Sequence, residues 1–372
     1  MSTRRIVITT LIVEFAFVGL GAMVLLSRPA KRPPVINATP AVKGTTAPLQ
    51  RALPTAPVRT ARVVFVGDIM LGRNVEGIVK QQGQDYPFVG ITDLLAEADL
   101  AVANLEGPII KQHKRTPTGS TSFSFPPSVA ATLSRHGVDL VSLANNHTFD
   151  RGASGFIETG RYLTAAGVTP FGHPRNAKVE YVTTRVVGGK SMTFVGFNDV
   201  FGVLDSAAAV ALVSDLTATA PEYFLVVEIH WGDEYKPKHN ARQERLAHEL
   251  ITAGADLVVG HHPHVVQDIE VYKGKAIFYS LGNFIFDQYF SRPTQEGLMI
   301  ELEIKDDVTV YHLIPVDITK SQPRPMTVTK TAEWLANLSQ RSESELRPDI
   351  ATGIINLPAA AGVDNSARDK KN

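Results

Sequence analysis

Residues 63–73 read Val-Val-Phe-Val-Gly-Asp-Ile-Met-Leu-Gly-Arg, and the change of character inside this stretch decides the fold class. Four β-branched or aromatic residues at 63–66 suit a buried strand, and Gly67-Asp68 ends the run on a flexible joint and a carboxylate. The same event recurs along the chain. The run at 100–103 enters Asn104-Leu105-Glu106-Gly107, the run at 140–143 enters Ala144-Asn145-Asn146-His147, and the run at 224–229 enters His230-Trp231-Gly232. The run at 257–259 enters Gly260-His261-His262-Pro263-His264, and the run at 276–279 enters Ser280-Leu281-Gly282-Asn283. A further strand is expected at 193–197. Helical patterns at 127–136, 155–166, 208–218 and 242–253 lie between several of these runs, and three of them stop at Gly137, Gly167 and Gly254. Strands alternating with helices predict an α/β fold with buried sheet strands.

In such folds ligands bind outside the carboxyl ends of the strands. Six strands delivering Asp, Glu, Asn and His to one edge would assemble a polar centre from distant parts of the chain. Carboxylate, amide oxygen and imidazole are donors for Mn, Fe(II), Zn or Ni, and two such ions about 4 Å apart can clamp a substrate and activate water. Each residue alone has an ordinary explanation. A single His after a strand is usually a hydrogen-bonded structural residue, Asp68 could cap the next helix, and Asn145-Asn146 could supply turn conformations. Co-occurrence argues for the centre: five of the eleven histidines fall at three strand ends. His136 and His248 sit in helical patterns and read as surface or half-buried residues, and His173 is a loop residue that could contact substrate. Lys111, His113, Lys114 and Arg115 form a basic cluster, either a solvated loop or a partner for an anionic substrate.

The 372 residues carry 37 basic and 37 acidic side chains, a balance that excludes an ordinary nucleic-acid binder. The absence of Cys excludes disulfides, thiolate-held metals and thiol catalysis. Residues 6–26 form a 21-residue apolar run interrupted by Glu14, long enough for a transmembrane helix. The competing reading is a cleaved signal peptide, but its apolar region is about 7–15 residues. This run is longer, and its exit offers no small-x-small cleavage site. Glu14 in lipid would be protonated or would face a partner helix. Residues 28–60 are rich in Pro, Ala and Thr and read as an extended tether, and 358–372 read as a disordered tail. The folded domain is expected at 61–357, with a helical appendage at 332–346.

The motifs together resemble the CapA family of poly-gamma-glutamate capsule synthesis proteins, in order over residues 61–320. The carriers are Val66-Gly67-Asp68-Ile69-Met70-Leu71-Gly72-Arg73, Asn104-Leu105-Glu106, Leu143 to Asp150, Ile229-His230-Trp231-Gly232, Gly260 to His264 and Tyr279 to Phe286. The resemblance extends to calcineurin-like metallophosphoesterases and implies an α/β/β/α sandwich behind an N-terminal membrane helix, with the domain on the extracytoplasmic side. It implies Asp68, Glu106, Asn146, His230, His262 and His264 as metal ligands and His147 as the catalytic acid. Asn104, Asn145, His261 and Asn283 are implied as substrate contacts, and the doubled histidine leaves His261 or His262 as the ligand. Met70 stands where the phosphoesterase pattern has a second ligand. The implied cofactor is one or two divalent ions, Mn, Fe or Zn. The implied partners are an anionic cell-surface polymer and the subunits of a membrane synthase or exporter. Two functions follow: a metal-dependent hydrolase or transferase of capsule polymer, or a non-catalytic accessory that binds it.

Overall fold

The computed structural model describes residues 60–305 and 307–358; the expected anchor at 1–27, the linker up to residue 59 and the tail beyond 358 lie outside these residues. Among the described residues no helix is long and apolar enough to cross a membrane.

The chain runs in three stages. The first is β1 (Ala61–Ile69), α1 (Arg73–Gln82), α2 (Thr92–Glu97), β2 (Leu100–Leu105), α3 (Ser128–Arg135), β3 (Leu140–Ser142), α4 (Gly152–Ala165) and β4 (Thr169–Phe171). The second is β5 (Thr183–Val187), β6 (Lys190–Asn198), α5 (Ser206–Thr219), β7 (Phe224–His230), α6 (Ala241–Ala253), β8 (Leu257–His261), β9 (Ile269–Tyr272) and β10 (Lys275–Phe278). The third is β11 (Asn283–Ile285), β12 (Glu296–Ile304), β13 (Val308–Thr319), β14 (Gln322–Pro325), α7 (Val328–Arg341), α8 (Arg347–Thr352) and β15 (Ile354–Pro358). Stages one and three build one sheet in the order β14-β13-β12-β1-β2-β3-β4, with β11 on β1 and β15 on β13. Stage two builds the other, β5-β6-β7-β8-β10-β9.

Side-chain alternation explains the layering. In β1, Val63 and Phe65 point to one face and Val64 and Val66 to the other, as the two-residue period of a strand requires. The first pair joins Val102 and Leu140 against Met192, Phe194, Val226 and Leu257 of the second sheet. The second pair packs with Val75, Leu95, Val129, Leu133 and Leu163 of the helices. On the far side Val195, Val227, Ile229 and Val258 meet Ala209, Val213, Leu246 and Leu250 of α5 and α6. The order is helices, sheet, sheet, helices. Strands β1, β2, β3, β7 and β8 are therefore covered on both faces, which accounts for their nearly unbroken apolar runs.

Among the described residues the structure has eight strands beyond the seven expected, and two differences from the sequence reading have a clear cause. The antiparallel strands β12 and β13 escape a search for continuous apolar runs, because Glu301 and Glu303 alternate with buried Ile300, Leu302 and Ile304. The expected helix at 332–346 is instead α7, ending at Arg341, followed by a separate turn at Ser344–Leu346. Ser342 causes the break. Its hydroxyl donates to the Leu338 carbonyl and accepts from the Ile269 amide at 3.1 Å, which ties the chain to β9 and turns it out of the helix.

The inter-sheet core predicts a measurable weakness. Phe65 is fully buried with its ring 6.5 Å from that of Phe194 in the opposite sheet. Phe65→Ala should lower unfolding free energy by about 3–5 kcal/mol in denaturant titrations. A loss under about 1 kcal/mol would mean that the sheets can close over the gap.

Candidate metal centre

Two rows of side chains meet at the carboxyl ends of the sheets. In the first sheet the strand register aligns Asn283, Asp68, Asn104 and Ser142. In the second it aligns Asn198, His230 and His261. The glycines preceding Asp68 and His261 permit this crowding. A Cβ on Gly67 would lie 2.1 Å from the Gly282 carbonyl oxygen, and one on Gly260 would lie 2.0 Å from that of Tyr279. No side chain fits at either position.

Asp68 joins the rows. Its Oδ1 accepts from Asn104 Nδ2 at 2.9 Å and lies 3.2 Å from His261 Nδ1. Its Oδ2 lies 3.2 Å from His264 Nδ1 and accepts from the His262 amide at 3.4 Å. The expected alternative for Asp68, a helix cap, is not what forms, since Gly72 is the N-cap of α1 and no side chain caps it. His264 Nδ1 also reaches Asn283 Oδ1 at 3.1 Å, and its Nε2 faces Glu106 Oε1 at 3.8 Å. His262 and His264 both adopt positive φ, 98° and 58°, a conformation that strains a non-glycine residue and here aims two imidazoles inward.

His147 approaches from the other side. Its Nδ1 is 2.9 Å from Asp150 Oδ2 and its Nε2 is 3.8 Å from Glu106 Oε1. Phe123 stacks on the ring at 4.1 Å. With Nδ1–H given to Asp150, the Nε2 is the atom free to exchange a proton with a bound molecule.

The residues expected to touch substrate are held in hydrogen bonds to other protein groups. Asn104, Asn145, His261 and Asn283 are all buried. Asn145 donates to Asn104 Oδ1 and the Leu105 carbonyl and accepts from the His147 amide. Asn283 donates to the Thr294 carbonyl and to Gln288. His261 is held between Asp68 and Glu228 Oε2, the latter at 3.0 Å, so both ring nitrogens are occupied. His262 by contrast has a buried Nδ1 with no partner. That difference makes His262 the available donor of the pair.

Several buried polar atoms around this cluster have no partner. Glu106 Oε1 and Oε2, Asn146 Oδ1, His230 Nε2 and His262 Nδ1 are all buried without a hydrogen bond. Buried polar atoms are normally satisfied, and these are electron-pair donors that a cation would complete. Asp68, Glu106 and His230 offer donor atoms within 4.8 Å of one another. Oxygen and imidazole donors with no thiolate fit a divalent Mn, Fe or Zn ion. Met70 adds nothing to the set: its buried sulfur accepts from the Gly72 amide at 3.1 Å.

Two partners were not singled out from the sequence. Glu228 is an acid inside an otherwise apolar strand, and Asp150 stands three residues after His147; each signal is present in the chain. Other candidates serve packing. His173 sits among Phe149, Phe156 and Tyr181. His136 is more buried than its helical pattern implied, bonded to Thr92 and Asp85 and stacked on Phe88. In the basic cluster, His113 turns onto Glu76 and Arg115 donates to the Arg73 carbonyl.

Burial sets the electrostatics. Desolvation pushes the Glu106 carboxyl up to about 7, against the opposing pull of His264. Burial also lowers His230 and His262, keeping both imidazoles neutral and able to donate a lone pair. For Asp68 burial is outweighed by the hydrogen bonds from His261 and His264, which hold it well below the usual carboxylate range. For His261 burial is outweighed by Glu228 and Asp68, which hold the ring protonated.

Residues 62–288 match the family model of the bacterial capsule synthesis protein PGA_cap. The chain is 34% identical over 304 residues to the capsule biosynthesis protein CapA of Bacillus anthracis, covering 75% of this chain and 74% of that protein. It is 33% identical over 280 residues to the PGA biosynthesis protein CapA of Bacillus subtilis (strain 168), covering 70% and 73%. A Mycobacterium tuberculosis protein named "probable polyglutamine synthesis accessory protein" is 25% identical over 360 residues, covering 79% and 94%.

The raised Glu106 carboxyl has a consequence for stability. The folded, metal-free protein retains a proton there that the unfolded chain releases above the ordinary 4.5, so the cost of Glu106 to stability builds up between pH 4.5 and about 7 and is constant above that. In EDTA-treated protein, Glu106→Gln should raise the thermal midpoint at pH 8 and leave it nearly unchanged at pH 5. A lower midpoint at pH 8 would show that the buried carboxylate is already compensated by His264.

Proposed function

The chain belongs to the PGA_cap family of bacterial capsule synthesis proteins, and from that footing we propose that it is a membrane-anchored extracytoplasmic protein using a divalent metal centre on an anionic capsule polymer. Its place is in capsule or polyglutamate synthesis. The four-layer order and the donor residues at the strand ends support reading the domain as a calcineurin-like metallophosphatase fold. The observation that carries the chemistry is the set of unpartnered buried donors on Glu106, Asn146, His230 and His262.

Glu106, Asn146 and His230 would hold an ion together with Asp68, and His262 and His264 would be further donors beside it. A bound divalent ion polarises a carbonyl or phosphoryl oxygen and lowers the pKa of water. The chain supplies the rest. Asp150 orients His147 so that its Nε2 faces the centre, where it can donate a proton to a leaving group. Phe123 packs against the ring and holds its orientation. Asn104, Asn145, His261 and Asn283 fix the positions of the ligands, as outer partners of a metal site do. The product class is a hydrolysed or transferred amide or phosphoester of the polymer.

A second reading is supported by Met70, whose sulfur is turned to the backbone where the phosphoesterase pattern has a ligand. Under it the protein binds polymer for a membrane synthase or exporter without reacting. The two separate on His147→Ala. Catalysis predicts a loss of about a hundredfold or more in turnover of poly-gamma-glutamate, with metal content unchanged. Undiminished capsule output in cells carrying this variant would instead favour the accessory role.

Membrane anchoring rests on the apolar run at 6–26. The full chain should sediment with membranes, resist extraction by carbonate and retain its N-terminal residues. A soluble form beginning after residue 26 would establish a cleaved signal peptide.

A further inference from the structure

Glu234 lies on the loop between β7 and α6, outside the motifs that the strand ends supply. Backbone bonds lace this loop to the histidine loop. The Trp231 amide donates to the His261 carbonyl at 3.0 Å, and the Tyr235 amide donates to the Pro263 carbonyl at 2.8 Å. Between these two anchors Gly232 takes φ 85° and Tyr235 φ 62°, turns that bring the intervening residues back over the centre. Glu234 thereby offers a carboxylate oxygen within 4.8 Å of donor nitrogens on both His262 and His264. It lines a cleft of about 450 Å³ with His262 and Asn146.

Glu234 is exposed, whereas the two histidines are 5% and 3% exposed. An exposed acid beside two imidazoles would ordinarily mean little. Two observations separate this one. His262 Nδ1 is buried with no hydrogen-bond partner in the same cleft. The group also abuts the donors already described: His264 Nε2 is 3.8 Å from Glu106 Oε1, and the His230 and His262 rings are 4.9 Å apart. One carboxylate and two imidazoles form a donor set that divalent Mn, Fe and Zn accept with coordination positions left open.

We propose that Glu234 is a metal ligand, holding a second divalent ion with His262 and His264 next to the ion held around Glu106 and His230. This rests on the metal-centre reading above. Glu234 supplies, from the second sheet, a ligand in place of the one that Met70 removes from the first. The open edge of this second ion faces the cleft, so it is the ion that meets polymer first.

The test uses the purified full chain, stripped with EDTA, titrated with Mn(II) by calorimetry and assayed for bound metal by elemental analysis. Wild type should hold two ions. Glu234→Gln, a change on an exposed side chain that leaves the core intact, should lose one ion or weaken it about tenfold or more. Asp233→Asn, which removes the neighbouring exposed charge, should match wild type, and His230→Gln should lose the other ion. Cobalt absorption spectra should change in Glu234→Gln and stay unchanged in Asp233→Asn. If Glu234→Gln matches wild type in ion number and affinity, the inference falls while the metal centre stands. If wild type binds one ion, the second site is overturned while the metal centre stands. If wild type binds none, both fall.

Discussion

The Asp68 carboxylate is the interaction on which the site depends. It is wholly buried and meets four donors: Asn104 from its own sheet, the His261 and His264 rings, and the His262 amide. A carboxylate has about four acceptor positions, so one small group satisfies itself by pinning two sheets and the histidine loop together. Leaving it unpaired would be costly, and so would leaving its partners unpaired, which makes the arrangement all-or-none.

The same region carries features that work against stability. Glu106 is buried with neither oxygen bonded, two histidines hold positive φ, and Gly67 and Gly260 leave backbones in contact where a side chain would add packing. Such costs concentrate at functional sites because the surrounding structure holds them there. Here the surroundings are three apolar layers, one between the sheets and one under each set of helices. Asp68 is satisfied by protein alone, whereas Glu106, Asn146, His230 and His262 are not. That contrast separates a carboxylate already paired within the protein from atoms that have no partner.

Electrostatic roles divide along the same line. His230 and His262 stay neutral because burial penalises the cation, a neighbouring histidine adds to that penalty, and the opposing pull of Asp68 is outweighed. His261 and His264 are equally buried but face acids, Glu228 and Asp68 for the first and Glu106 and Asp68 for the second, which raise them. A neutral imidazole offers a free lone pair, whereas a protonated one holds its acid until a cation displaces the proton. Four histidines at the same strand ends thus differ, without metal, according to the acids they face.

The sequence by itself determined the layered α/β class, the position of the central strands and the gathering of acids, amides and histidines at their ends. These follow from local pattern: buried strands need unbroken apolar runs, and Gly137, Gly167 and Gly254 mark helix ends through their positive φ. The antiparallel strand β12, whose glutamates interrupt its apolar run, and the break at Ser342, set by its bond to β9, were not legible. Only the tertiary structure decided which of His261 and His262 is free, since that depends on Glu228, more than thirty residues away in sequence and 3.0 Å away in space. It also decided that Asn104, Asn145 and Asn283 orient other side chains, and that Glu234 reaches the centre. Residue type sets what a group can donate or accept, and the packing of two sheets sets which of those bonds remain open.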